Sequence, residues 1–257
     1  MLEQFLAELK RAWIQFRRYP GEAIGGIFII TSVFYGLFLS AKYIAGPGLN
    51  FGDRLDAVIV GYGLWTLVTF VLFDIAGNLQ SEAQTGTLEQ LFLSPWRASR
   101  VFLLRAIANL FVQMLLLSCI VTLIMTLTGR FLSFPITLIL PLFAVLLGAY
   151  GLSFAMGALS LLLKRVQQII AIVQFTLLFL LTAPTEEWTG VGRIVGFLLP
   201  MSGGAGVLRD LMARGGDLDW GRLGLALLNG VVYFSLGLGL FGWAERYAKR
   251  WGKLSGY

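Results

Sequence analysis

The sequence predicts an all-α integral membrane protein with six transmembrane helices, forming a single domain over residues 1–257. Three observations carry this. Apolar residues make up 57% of the chain and charged residues 13%, with a mean hydropathy of +0.79, a composition foreign to soluble folds. Six apolar runs each come close to or exceed the ~20 residues that a crossing helix needs. The net charge of +6 comes from basic residues at the ends of those runs rather than from a patch interleaved with aromatics. Anionic lipid headgroups are therefore its natural partner, and nucleic acid is not.

Residues 1–20 form the first element. Taken as a helix over 1–18, Leu2, Phe5, Leu6, Leu9, Trp13 and Phe16 fall on one face, while Glu3, Glu8, Lys10, Arg11, Arg17 and Arg18 lie outside it. Trp and Phe on one side with Lys and Arg on the other describe an amphipathic interfacial helix lying in the plane of the bilayer surface. The acidic and basic residues near the start do not read as a signal peptide. Tyr19-Pro20-Gly21 then turns the chain into the membrane.

The six spans are expected near Ile24–Ala45, Ala57–Gly77, Val101–Leu127, Ile136–Leu163, Val166–Ala183 and Leu223–Ala244. The fourth and fifth are separated by Lys164-Arg165 alone. A helix running through both would far exceed a hydrocarbon core of about 30 Å, so the basic pair marks a tight surface turn. An even number of spans puts both termini on one side. With the N-terminus inside, the inner segments hold 13 of the 20 basic residues. The other seven, Lys42, Arg54, Arg130, Arg193, Arg209, Arg214 and Arg222, are balanced by Asp53, Asp56, Glu186, Glu187, Asp210, Asp217 and Asp219. The positive-inside rule therefore places both termini in the cytosol, and the protein is expected in the cell's inner or plasma membrane.

Between the second and third spans lies a polar interruption, Ser81–Arg100, with its own helix punctuation. Thr87 with Gln90 reads as a capping box, Ser81 with Gln84 as a weaker one, and Pro95 stops the turn. Leu88, Leu91 and Phe92 share one face. A loop between spans has no core to hide them, so their cover is either the membrane surface or a groove on a separate soluble protein.

Gly86–Pro95, G-T-L-E-Q-L-F-L-S-P, resembles the cytosolic coupling-helix signature of the membrane subunits of type-2 ATP-binding-cassette (ABC) exporters. The resemblance extends over nearly the whole chain in its order of elements and is specific at residue level in this stretch. It implies a permease subunit that forms the translocation path. Such a subunit pairs with a second permease chain, as homodimer or heterodimer, and docks on separate ATPase subunits that bind ATP and Mg. In this chain the docking set is Gly86, Thr87, Leu88, Glu89, Leu91, Phe92 and Pro95, with Glu89 supplying charge and Leu91 and Phe92 filling the groove. The cargo implied is a lipophilic drug, a lipid or a glycan.

The outer segment, residues 184–222, fits a short re-entrant hairpin. Glu186-Glu187-Trp188 reads as an interfacial anchor, Pro200 ends an apolar stretch, and Gly203-Gly204-Ala205-Gly206 supplies the sharp reversal. Leu198–Met201 and Leu208-Arg209 resemble the family's hairpin loosely.

No motif for catalysis or nucleotide binding occurs. There is no G-x-x-x-x-G-K-[ST], no G-x-S-x-G, no histidine, and a single cysteine, Cys119. The chain is expected to be a pore-forming subunit without enzymatic activity or cofactor of its own. Asp74 is the one acidic residue inside a span. Its two readings are a structural pair with Arg105, which is preferred, and a proton or cation relay. The relay would make the protein an ion-coupled secondary transporter or channel. Asn109, Gln113, Gln174 and Asn229 read as interhelical hydrogen-bonding groups. Tyr62, Trp65, Phe70, Gln174 and Phe175 are candidates for a lipophilic substrate path. Gly148, Gly151, Gly157, Gly237 and Gly239 are positions where helices can approach closely.

Overall fold

A computed structural model describes residues 2–45, 52–84, 98–163 and 166–250. Among these the secondary structure is helical throughout: α1 (Leu2–Arg18), α2 (Pro20–Ala45), α3 (Gly52–Gln84), α4 (Ala98–Thr128), α5 (Ile139–Leu162), α6 (Gln167–Thr182), α7 (Val191–Leu198), α8 (Ser202–Met212) and α9 (Trp220–Arg250). Single 3-10 turns precede α5 and α7.

Two of the helix starts have a clear local cause. Tyr19 alone separates α1 from α2, and Pro20 opens α2 where a missing N–H costs nothing. Asp219 caps α9, its carboxylate accepting from the backbone N–H groups of Gly221 (2.9 Å) and Arg222 (3.2 Å). α3 does not stop at Gly77 as the apolar run suggests but continues to Gln84. Its last turns are polar yet rich in Gln, Glu and Ala, which favour helix as well as leucine does. Ser81-Gln84 is thus the end of a helix, not the start of one.

Five helices, α2 to α5 and α9, are long and apolar enough to cross a membrane. α6 is apolar but has 16 residues, about 24 Å at 1.5 Å per residue. The contacts fix how the helices run. α3 and α4 are antiparallel, with Asp56 against Arg130 at one end and Glu82 against Arg105 at the other. α3 and α6 are antiparallel, since Gly61 lies against Leu181 and the Trp65 indole N–H donates to the Gln174 carbonyl at 2.8 Å. α5 runs parallel to both α3 and α9. Its Ser153 hydroxyl donates to the Val71 carbonyl at 2.8 Å, and Gly157 meets Ile75, Leu79 and Phe241. The bundle therefore has two ends, one carrying α1 and the other carrying α7 and α8.

The core is centred on α3, α5 and α9. Phe154 of α5 meets Phe241 of α9 edge-on at 5.5 Å between centroids, and Phe102 of α4 completes the cluster at 6.2 Å from Phe241. Backbones touch where α5 crosses α9. A Cβ on Gly237 would strike the Gly151 carbonyl, one on Gly151 the Tyr233 carbonyl, and one on Gly230 the Ala144 carbonyl at 2.6 Å. Small residues create this approach, as expected for helices that cannot gain by hiding leucine from lipid. Gly239, by contrast, faces open space: a Cβ added there would meet nothing within 4 Å.

The segment at the far end corrects the expected reversal. The chain turns at Leu199–Met201, where Met201 has a left-handed φ of 64°. Gly203, Gly204 and Gly206 lie inside α8. Their role is close packing: a Cβ at Gly204 would sit 2.7 Å from the Val145 methyl and 3.3 Å from the Pro141 carbonyl. Pro200 and the cap supply the turn, Gly204 lets α8 lie close on α5, and Gly203 and Gly206 face Ala226 of α9 and the Glu186 and Arg222 side chains.

Candidate functional site

Asp74 and Arg105 do not pair. Asp74 accepts from the side-chain amides of Asn109 (2.9 Å) and Gln113 (2.7 Å). Arg105 donates to Glu82 at 2.9 Å and approaches Glu8 of α1 at 3.5 Å. The physical reason is the length of α3. Because the helix runs two turns beyond Gly77, Glu82 reaches the level of Arg105, and Asp74 sits two turns deeper. Arg105, Asn109 and Gln113 recur every fourth residue, one stripe of α4 facing Asp74, Asn78 and Glu82 of α3. That spacing is visible in the sequence and identifies the real partners. The reading of Asn109 and Gln113 as interhelical hydrogen-bonding groups holds.

Among the described residues no ion pair reaches Asp74. It lines a cavity of about 300 Å³ under the α1–α2 corner, shared with Gln15, Tyr19, Glu22 and Gln113. The Gln113 carbonyl oxygen is buried without a hydrogen-bond partner. An uncharged amide pair can hold a carboxyl group in place without supplying a countercharge.

Glu8, Arg105 and Glu82 form a triad at the α1 end of the bundle. It joins α1, the exit of α3 and the entry of α4. The segment between those two helices contains Gly86, Thr87, Leu88, Glu89, Leu91, Phe92 and Pro95, which lie outside the described residues, as does Lys164-Arg165.

At the opposite end, Arg209 of α8 is fully buried, with 0% exposure. It forms a two-pronged pair with Glu186, Nε to Oε1 at 3.0 Å and Nη2 to Oε2 at 2.5 Å, and its Nη1 donates to the Leu181 carbonyl at 2.5 Å. Burial pushes the Glu186 carboxyl up, but hydrogen bonding and charge from Arg209, with Arg214 beyond it, outweigh burial and hold the group below its ordinary value. Glu186 is thus the inner half of an ion pair rather than an interfacial anchor. Arg214 bridges Asp210 and Glu187, Arg222 pairs with Asp210 at 2.5 Å, and Arg130 pairs with Asp56. Four of the seven basic residues counted along the sequence at this end, Arg130, Arg209, Arg214 and Arg222, thus meet acidic residues counted with them. Asn229 adds another tie, donating to the Phe197 carbonyl at 2.8 Å.

The five candidate path residues divide. Tyr62 is 3% exposed, meets the Phe34 ring in a tilted contact at 4.9 Å and donates to the Ile30 carbonyl of α2 at 2.8 Å. Trp65 and Gln174 meet through the bond between α3 and α6. Phe70 is half-buried, and Phe175 is 64% exposed on α6. None of the five lines the apolar cavity bounded by α3, α4, α5 and α8. That cavity, of about 380 Å³, lies on the other side of α3, bounded by Gly63, Leu64, Met114, Val121, Leu142 and Leu208 among others.

Long apolar helices, apolar outward faces and charges collected at the two ends of the bundle are the marks of a multi-pass α-helical membrane protein. No protein-family model matches the chain, and no curated protein matches it significantly.

Proposed function

We propose that the chain is the permease subunit of an ATP-driven ABC exporter of type 2. In this reading two permease chains face each other across a translocation path, with both termini cytosolic. Separate ATPase subunits bind ATP and Mg and dock on Gly86, Thr87, Leu88, Glu89, Leu91, Phe92 and Pro95. The cargo is a lipophilic drug, a lipid or a glycan, and α7–α8 form a re-entrant hairpin on the outer side. Tyr62, Trp65, Phe70, Gln174 and Phe175 mark a path along the α3–α6 face.

One observation carries the reading beyond the resemblance. The Glu8–Arg105–Glu82 triad clamps α1 to both stems of the segment that would dock. A push on that segment would thus be delivered to the interfacial helix and two spans together, which is what a coupling element requires. Leu91→Asp tests it. A charge in the apolar groove should abolish recovery of a Walker-motif ATPase with the detergent-solubilised protein and uncouple ATP hydrolysis from transport, with the spans still folded. Normal substrate-stimulated hydrolysis in that variant would refute the docking role.

A second reading is supported by the Asp74 geometry. A carboxylate held by amides alone among the described residues, and open to a cavity, suits an ion-coupled transporter or channel. It predicts transport that follows an ion gradient, survives without ATP and is lost in Asp74→Asn.

A further inference from the structure

The 380 Å³ cavity between α3, α4, α5 and α8 belongs to neither the docking segment nor the proposed path. We infer that it is a binding site for a single alkyl chain of a bilayer lipid. The site does not depend on how transport is powered.

Its chemistry excludes water. The lining is almost wholly hydrocarbon, and one of its few hydroxyls, Ser118, already donates to the Leu115 carbonyl of its own helix at 2.7 Å. A buried water needs two to four polar partners, whereas apolar cavities stay dry and take apolar guests. Its lining follows the helix direction. Along α4 the wall runs from Met114 to Thr122, roughly 12 Å at 1.5 Å per residue, while α3 contributes Ile59 to Leu64 alongside. Such a slot suits a linear chain better than a compact ring system.

Its surroundings indicate which chain. The walls come from helices long enough to span a bilayer, and Phe134 at the rim is exposed on the outside of the bundle. The apolar molecules in contact with such a rim are lipids. Charge supports the orientation. The Asp56–Arg130 pair stands one helical turn beyond Ile59 on α3 and two residues before Leu132. Of its members Arg130 is the outer one, its side chain 38% exposed against 9% for Asp56. The exposed, guanidinium half of this pair therefore lies at the end of the slot nearest α8, where a lipid phosphate would meet it. An alkyl chain here would contact Leu208 and Met212 of α8 and fill the gap between that helix and the spans.

The experiment uses the full-length protein in phosphatidylcholine nanodiscs doped with a phosphatidylcholine bearing a mid-chain diazirine, with cross-links mapped by mass spectrometry. The expected result is labelling of the α4 stretch 114–122 well above that of the exposed α6 face at Ile172 and Phe179. Two variants fill the slot independently. Gly63 lines the slot and a Cβ there makes only an ordinary 3.4 Å contact with Val121, so Gly63→Leu adds volume to it, and Ser118→Leu does so from a surface-accessible position on the opposite wall. Each should lower the 114–122 labelling to the α6 level while leaving α6 labelling unchanged. Labelling of 114–122 no higher than α6 in the wild-type protein would overturn the inference and indicate a wall covered by a second copy of the chain. Labelling that neither variant reduces would overturn it as well.

Discussion

Removing Arg209 leaves Glu186 with its main partner gone in a site closed to solvent. The guanidinium makes two bonds to the carboxylate and one to the Leu181 carbonyl, and it is wholly buried. Breaking such a pair from one side costs about 3–5 kcal/mol, because the remaining charge stays desolvated. Arg214 lies 3.5 Å from Glu186 and supplies part of the lost charge, so Arg209→Met should fall at the lower end, about 3 kcal/mol. The double variant Arg209→Met/Glu186→Gln removes both charges and should recover most of the loss, since a buried pair replaced as a unit is often close to neutral. Unfolding in mixed detergent micelles, followed by helical circular dichroism, measures all three proteins. A loss below about 1 kcal/mol for the single variant, the size of an exposed pair, would refute this reasoning. So would a double variant as unstable as the single.

Three further outcomes follow from the structure. Gly151→Val should destabilise by about 1–3 kcal/mol or more, because the new side chain meets the backbone of α9 and no rotamer relieves it. Gly239→Ala, with open space around it, should be neutral or gain up to about 1 kcal/mol in the same unfolding assay. The Glu186 pair also sets a pH dependence. Its carboxyl is held below the ordinary value in the folded chain, so the stability it contributes is complete above the ordinary carboxylate range. That stability is lost as pH falls through the depressed folded value. Glu186→Gln should flatten the acid limb of a stability–pH curve, and an unchanged limb would assign it to other groups.

Much of this architecture is readable from residue order, and the failures have specific causes. Pro20 after Tyr19 marks the α1–α2 corner because proline fits the first helical turn and disrupts a later one. Span lengths are less legible. Apolar runs report where side chains meet lipid, whereas a helix ends where backbone hydrogen bonds end, and α3 keeps those through Asn78 to Gln84. That difference misplaces the partner of Arg105, since the apolar run alone leaves Glu82 outside any span. The Gly203–Gly206 run is ambiguous for a related reason. Glycine allows a reversal and also allows two backbones to touch, and choosing between these requires knowing that Val145 and Pro141 lie opposite. Arg209 and Glu186, 23 residues apart, carry no periodic signal that would link them. Arg105, Asn109 and Gln113 do carry one, at every fourth position.

A separate ATPase acting through the segment between α3 and α4 is the centre of the proposed mechanism. The most direct measurement is recovery of soluble chains with the mildly solubilised protein, wild-type beside Leu91→Asp, identified by mass spectrometry. The mechanism predicts a Walker-motif ATPase with the wild-type protein and its loss in the variant. A wild-type protein that comes through alone and monodisperse, and that transports along an ion gradient without ATP, would contradict it and turn the mechanism to Asp74.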